Sequence, residues 1–167
     1  DEKSSKDFWK WRKERKEIKI ESISFPLAKN DLNFLQSNRT ENTLTFIGHA
    51  SFLIQINGLN ILTDPHFTKR ASPLSFAGPH PPGIRLEDLP EIDVILISHN
   101  HYDHLDKGSI KGILKSQKKQ PMIYTPLKLN KLLEKWGAKN IKGMNWWEST
   151  IFKNLKFHSV PVQHWSK

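Results

Sequence analysis

The sequence predicts an α/β fold that is rich in β-structure, with helices spaced between the strands. Thr43–Ile47 and Phe52–Ile56 have strand-like patterns, and they are followed by Asn57-Gly58, the dipeptide preferred in two-residue hairpin turns. Asp93–Ser98 is a continuous apolar run that is typical of a strand buried on both faces. The hairpin and the buried strand predict a sheet, and helical segments between the later strands place the chain in the α/β class.

The remaining elements can be predicted in chain order. Pro126 suits the first turn of a helix, where its missing N–H costs nothing, and Gly137 suits the end of that helix. After the hairpin turn we predict a strand over Leu59–Thr63, a helix over Asp106–Lys115, a strand over Ile123–Thr125, a helix from Pro126 to about Trp136, and strands near Ile141, near Phe152 and over Leu155–Val162.

Two segments lack a clear periodic pattern. Residues 1–42 form a charged N-terminal arm. Residues 1–19, which contain Phe8, Trp9 and Trp11, are predicted to be an exposed helix or an arm that packs these aromatic side chains elsewhere, and residues 20–42 are predicted to be irregular. A basic, Trp-bearing arm suits contact with a membrane interface, but we favour packing on its own protein or a partner. Residues 64–90 hold six prolines and predict a long, ordered and functional loop.

The formal net charge of +9 is concentrated in the C-terminal third of the chain. Residues 107–167 carry thirteen lysines and two acidic residues. Such a surface attracts phosphate-bearing partners, either nucleic acid or anionic lipid head groups. A lysine-rich surface that is simply solvated is an equally weighted interpretation, because residues 107–167 contain no arginine to make the bidentate phosphate contact. A peripheral membrane contact fits the first of these interpretations, and we expect no specific nucleic-acid partner.

Length and composition exclude several classes of protein. With 167 residues, the chain is one domain or part of a larger one. It has no cysteine, which excludes disulfides, thiolate zinc sites and a cysteine nucleophile. It also has no apolar run of the roughly 18 residues that a membrane span needs. No signal peptide is visible after Asp1, so we favour a cytoplasmic or peripheral membrane location and leave processed export open.

The segment Ser98–Asp106 carries the chemistry. In an extended loop, His99 and His101 project to the same side and can chelate one ion through their imidazole nitrogens. If the chain then turns into a helix, Asp103 and His104 point elsewhere and can hold a second ion nearby. Clustering so many ionisable groups at the end of a buried strand is costly without a cation, so a metal site is favoured over a histidine-rich surface loop.

This segment resembles the metal-binding motif of the metallo-β-lactamase superfamily, and within it the branch of N-acyl-phosphatidylethanolamine-hydrolysing phospholipase D and its bacterial relatives. The similarity runs from about Thr43 to Lys167 and adds little over residues 1–42. Its pieces are Phe46–Ala50, Leu62–Pro65, Arg70–Pro73, Gly78-Pro79, Leu89–Asp106, Trp146–Glu148 and Gln163–Trp165.

The resemblance implies an αββα sandwich with a two-zinc site at one edge of its two sheets. It implies that one Zn²⁺ is held by His99, His101 and His164, and the other by Asp103 and His104. A hydroxide that bridges the two metals would be the nucleophile, and Asp103, the predicted catalytic residue, would also orient it.

The other polar and aromatic residues receive supporting roles. By resemblance, Asp64 fixes a ligand or the local loop, and we expect His49 to support the site rather than ligate directly. We expect Asp106 to cap the following helix. No motif supports a role for His66, His80 and His158, and the tryptophans Trp146, Trp147 and Trp165 are expected in the core or in a pocket wall.

The later elements of the family do not follow His164. The bridging aspartate, the final histidine and roughly half of the sandwich, including its second sheet, are absent from the sequence. We therefore expect residues 43–167 to supply the N-terminal half of the domain, as a fragment of a longer enzyme. Two alternatives are a complementary chain that carries the missing half and a truncated product that binds metal poorly.

Three functions follow from these observations. The first is a zinc-dependent phosphodiesterase of phospholipase D type that acts on N-acyl-phosphatidylethanolamine-like lipids. The second is a hydrolase of the same fold with another substrate, a lactone or a nucleic-acid phosphodiester, because fold does not fix substrate. The third is an inactive fragment or interaction module. Metal content separates the third function from the other two.

Overall fold

The structure is a computed structural model that describes residues 4–17, 26, 28–69 and 82–164. No helix in those ranges is both long and apolar enough to cross a membrane. The elements are α1 (Ser5–Glu17), α2 (Leu32–Ser37), β1 (Thr43–Gly48), β2 (Ser51–Ile56), β3 (Leu59–Thr63), a 3₁₀ turn (Leu86–Asp88), β4 (Val94–Leu96), α3 (Lys107–Ser116), β5 (Met122–Pro126), α4 (Asn130–Lys135), β6 (Ile141–Met144), β7 (Ser149–Phe152) and β8 (Leu155–His158).

The first six strands form one sheet in the spatial order β1-β2-β3-β4-β5-β6. β2 is antiparallel to β1 and to β3, whereas β3, β4, β5 and β6 run parallel to one another. Every strand of this sheet except β2 therefore points the same way. The carboxyl ends of β1, β3, β4, β5 and β6 meet at one edge of the sheet, which we call the carboxyl edge.

The two faces of this sheet are covered differently. On one face, Ile110 of α3 and Leu133 of α4 share a buried cluster with Ile95 of β4. On the other face, Phe157 of the β7–β8 hairpin packs in a cluster with Val94. The layers are thus helices, the large sheet and a two-stranded sheet, as expected for an αββα sandwich. The second sheet, which the sequence analysis expected to be missing, is represented by this hairpin.

Most predicted strands are confirmed, and the Asn57-Gly58 turn is present. Asn57 and Gly58 have φ values of 50° and 73°, as a type I′ hairpin turn requires. β4 is shorter than the predicted Asp93–Ser98. Asp93 instead uses its carboxylate to accept a hydrogen bond from the backbone N–H of Asn60 at 2.9 Å, which anchors the start of the strand.

Three predicted elements differ from the structure. Pro126 ends β5 and does not begin a helix, because Lys128 adopts a left-handed φ of 72° and α4 starts only at Asn130. The segment 20–42, predicted as irregular, contains the short helix α2, whose first turn is capped by Asp31 accepting from the N–H of Phe34. The last strand ends at His158 rather than Val162.

The arm and the long loop are described only in part. α1 confirms the helical alternative for the start of the chain, and Phe8, Trp9 and Trp11 are each at least half exposed on it. In the long loop, Phe67 packs against the helix-side core, as an ordered loop requires. The predictions that fall on residues 70–81 lie outside the described residues.

A buried glutamine ties α2 to the sheet. Gln55 of β2 is 2% exposed, and its side-chain N–H groups donate to the carbonyl of Leu35 at 2.9 Å and to Oδ1 of Asn60 at 3.0 Å. Its Oε1 accepts from Asn38 Nδ2 at 3.1 Å and from the Thr43 hydroxyl at 2.9 Å. Because every polar atom is satisfied, this amide network specifies the packing of the helix on the strand.

We expect Gln55→Leu to lower the free energy of unfolding by about 2–4 kcal/mol, because several buried partners lose a hydrogen bond at once. Urea denaturation followed by circular dichroism measures this difference. Gln36→Leu is the matched control, since Gln36 is exposed and makes one long contact of 3.3 Å to the carbonyl of Asp88. Equal stabilities of the two variants would contradict a structural role for the buried network.

Candidate metal centre

Histidines and carboxylates from four separate segments converge beyond the carboxyl edge. His49 lies in the tight turn after β1, Asp64 follows β3, the segment from Ser98 follows β4, and His164 lies beyond β8. His49 and Asp64 have positive φ values of 52° and 34°, which are unfavourable for residues other than glycine. Such strain persists only where the surrounding structure imposes it, and it is common at functional sites.

The first group of potential ligands consists of three imidazoles. His99 Nε2 lies 2.9 Å from His101 Nδ1, and His164 Nε2 lies 3.3 Å from the same nitrogen. The ring centroids of His99 and His164 are 4.7 Å apart, at right angles. The structure therefore brings His164, which lies 60 residues after His104, next to the two histidines that follow β4.

The second group contains a carboxylate and two imidazoles. Asp103 Oδ2 lies 2.9 Å from His49 Nε2 and 3.7 Å from His104 Nε2. The three ligand atoms all lie within 4.8 Å of one another. We expected His49 only to support the site. In the structure it offers a ligand atom to this group, as the two predicted ligands Asp103 and His104 do.

Asp64 and Ser98 fix the orientation of the histidine rings. Asp64 accepts from the backbone N–H of Ser98 at 2.7 Å and from its hydroxyl at 2.6 Å, and it contacts His104 Nδ1 at 2.9 Å. Because a carboxylate only accepts hydrogen bonds, His104 Nδ1 carries the proton and Nε2 keeps the lone pair. The Ser98 hydroxyl then accepts from His99 Nδ1 at 2.9 Å, which leaves His99 Nε2 free to ligate.

The electrostatics favour the ligating forms of His99 and Asp103. Burial lowers the pKa of His99, and the neighbouring His104, His101 and His164 lower it further. For Asp103, burial acts in the opposite direction and would raise the pKa. A backbone hydrogen bond and the nearby His104 and His49 outweigh it and hold that pKa below its usual value. Neutral imidazoles and an ionised carboxylate are the states that bind a divalent cation.

The donor set fits a metal ion. Two nitrogen ligands at about 2.0–2.1 Å from a tetrahedral zinc are about 3.3 Å apart, close to the separations in the three-histidine group. Without a cation, converging lone pairs repel one another, so the arrangement favours an ion at its centre. Nitrogen and carboxylate donors suit zinc, iron and several other transition metals, so the ligands alone do not select one metal.

The family model described as a Beta-lactamase superfamily domain matches residues 59–167, which is more than half of the chain. The chain belongs to the metallo-β-lactamase superfamily. The match spans Asp64, the segment after β4 and His164, whereas His49 precedes it.

The chain is also similar to individual proteins of known name or structure. N-acyl-phosphatidylethanolamine-hydrolyzing phospholipase D 1 of Caenorhabditis elegans is 38% identical over 132 residues, which cover 72% of this chain and 37% of the relative. A metal-dependent hydrolase of Caldivirga maquilingensis is 32% identical over 72% of this chain and 48% of its own. The crystal structure of CmlA, a diiron β-hydroxylase from Streptomyces venezuelae, superposes with a TM-score of 0.57 at 25% identity, over 72% of this chain and 24% of that one.

The other residues singled out from the sequence lie apart from the two groups. Asp106 caps α3, as predicted, by accepting from the N–H of Ser109 at 2.8 Å. His158 is exposed in β8 and pairs with Ser149. Trp146 and Trp147 are 65% and 74% exposed in the described structure, so they are not core residues. His80 and Trp165 lie outside the described residues.

Ser98 and Ser51 are the site residues that sequence reasoning missed. Ser51 is fully buried, and its hydroxyl donates to the carbonyl of Asp64 at 2.6 Å, which holds the strained turn in place. The sequence offered one signal for Ser98, namely its position as a hydroxyl residue directly before His99, the first histidine of the metal-binding motif. For Ser51 no local signal existed, because its partner lies on another strand.

Proposed function

We propose that the protein is a metal-dependent phosphodiesterase of phospholipase D type that acts on N-acyl-phosphatidylethanolamine-like lipids with two zinc ions. The observation that carries this proposal is the convergence of two three-residue ligand groups at one sheet edge. Similarity to the Caenorhabditis elegans phospholipase supports the substrate class. The chain spans 37% of the length of that relative, so the proposal concerns the activity of the protein to which these residues belong.

The proposed roles follow from the geometry. His99, His101 and His164 would hold one ion, and Asp103 and His104, joined by His49, would hold the other. Two bound divalent ions supply Lewis acidity for a phosphoryl oxygen and lower the pKa of water toward neutrality.

The side chains themselves would hold and orient the reacting water. Asp103 is ionised, and its carboxylate is held by contact with His49. This carboxylate can accept a hydrogen bond from the reacting water and keep the water in line with the phosphorus atom. Water then adds to phosphorus, the bond between phosphorus and the ethanolamine oxygen breaks, and that oxygen takes up a proton. The products are phosphatidic acid and an N-acylethanolamine.

The test is hydrolysis of N-acyl-phosphatidylethanolamine in detergent micelles, followed by mass spectrometry of both products. We expect product formation to stop on chelation and to return on addition of Zn²⁺, with Fe²⁺ and Mn²⁺ tested in parallel. A lactone and a short RNA are the competing substrates. Hydrolysis of either one instead of the lipid would overturn the substrate class, and restoration by iron alone would overturn the assignment of zinc.

Asp103→Asn is expected to lower kcat/KM by about 100-fold or more, because it removes a negative ligand and the acceptor for the water. Asp7→Asn on the exposed helix α1 makes the same chemical change outside the site and serves as the control. A variant at Asp103 that is as active as the control would contradict the proposed role.

A further inference from the structure

The outer surface of the helix layer is formed by α3 and α4 together. Both helices pack against the same face of the large sheet, through Ile110 and Ile113 on α3 and Leu133 on α4. Their opposite sides therefore point away from the sheet in the same general direction. This shared outer surface does not include any of the metal-site residues.

Lysines occupy this outer surface at helical spacing. Lys107, Lys111 and Lys115 follow one another at intervals of four residues on α3, and Lys131 and Lys135 do the same on α4. Residues four apart lie on one side of a helix, so each set forms a stripe. All five side chains are exposed. We call these five residues the lysine face.

The charge of the lysine face is not compensated. Glu134 is the only acidic residue between positions 107 and 147. Within the described ranges, lysine ion pairs are made by Lys10 with Glu14 and by Lys153 with Asp93, and none involves the lysine face. Like charges four residues apart repel each other and destabilise a helix, so this surface is better suited to an anionic partner than to water alone.

We propose that the lysine face binds the anionic surface of a phospholipid bilayer. A bilayer needs positive charge spread over a broad surface, and clustered lysines supply it. Nucleic-acid recognition typically adds arginine forks and exposed aromatic rings for base stacking. The α3 and α4 stripes have neither, since Trp136, the aromatic residue next to α4, is only partly exposed and packs against the core.

The lysine face begins close to the metal centre in the chain. α3 begins directly after the metal-binding segment, with Asp106 as its cap and Lys107 as its first residue. The stripe on α3 therefore starts at the carboxyl edge. Bilayer binding itself needs no metal and no hydrolysis, so it goes beyond the proposed function and can fail or succeed independently of the micelle assay.

The test is sedimentation of the 167-residue chain with vesicles of phosphatidylcholine alone or with 30% phosphatidylserine added. We expect binding to the anionic vesicles only, and weaker binding at 0.5 M than at 0.05 M NaCl, because salt screens the attraction. Each lysine near such a surface contributes about 1 kcal/mol, a factor of about five. The triple variant Lys107→Gln, Lys111→Gln, Lys115→Gln should therefore bind on the order of 100-fold more weakly.

The matched control is the triple variant Lys6→Gln, Lys10→Gln, Lys13→Gln, which removes the same charge from α1. It should retain most of the binding to anionic vesicles. Equal losses in both triple variants would overturn the proposal in favour of net charge, and a loss confined to the α1 variant would assign membrane contact to that helix. Binding to a 20-nucleotide RNA with no binding to anionic vesicles would also overturn it. Circular dichroism of each variant reports that the fold is intact.

Discussion

His101→Ala is expected to lower the metal content of the chain and to reduce hydrolysis by on the order of 1,000-fold. His101 Nδ1 faces both other imidazoles of its group, at 2.9 Å from His99 and 3.3 Å from His164. Its removal leaves His99 and His164, and two ligands are too few to hold a tetrahedral ion. Loss of that ion removes the several kcal/mol of charge stabilisation that a metal supplies to a phosphoryl-transfer transition state.

Elemental mass spectrometry of the purified chain measures this effect directly. About two metal ions per chain are expected for the unaltered protein, as a two-metal site requires. The variant should hold one ion or fewer. His158→Ala is the matched control, because it removes an exposed imidazole from β8 and leaves both ligand groups untouched. Equal metal content in the two variants would contradict the assignment of His101 as a metal ligand. Metal content near zero in the unaltered chain would favour an inactive fragment.

Asp64→Asn is expected to weaken metal affinity by about 10- to 100-fold, although Asp64 belongs to neither ligand group. An amide has one acceptor oxygen where the carboxylate has two, and its NH₂ group would face the donors of Ser98 and His104. In either orientation of the amide, the variant therefore loses the contact that fixes His104 or the contact that fixes the loop. Competition with a chromophoric chelator measures the affinity.

Ser98→Ala separates the two contributions of Asp64. It removes only the hydroxyl that accepts from His99 Nδ1, and it leaves the contact between Asp64 and His104 in place. We expect a smaller loss of affinity than for Asp64→Asn, confined to the ion held by the three histidines. A loss in Asp64→Asn that appears only as lower thermal stability, with unchanged metal affinity, would reduce Asp64 to a structural residue.

Local patterns were sufficient for much of the fold. The Asn57-Gly58 turn, the strands on both sides of it and the cap at Asp106 each depend on residues that are neighbours in the sequence. The error at Pro126 has a physical cause of the same kind. Proline fits both the end of a strand and the first turn of a helix, and only the left-handed backbone at Lys128 decides between them.

Side-chain contacts between elements that are distant in the sequence could not be predicted from local sequence patterns. Gln55 appeared to be an ordinary polar residue in an alternating strand, but in the structure it is buried against α2 and Asn60. Trp146 and Trp147 are the converse case: large aromatic residues are usually buried, and the core alternative predicted for these two is wrong because both are exposed. Both outcomes depend on which surface lies opposite, and that is a property of the assembled layers.

The sequence by itself determined the chemistry of the candidate site, because His99, His101, Asp103 and His104 lie within six residues and carry their ligand atoms wherever the loop folds. Only the tertiary structure decided which of these ligands act together. It joins His164 to the first pair and His49 to the second, and it places Asp64 behind them. The physical reason is the common direction of β1, β3 and β4, which brings the ends of distant strands to a single edge.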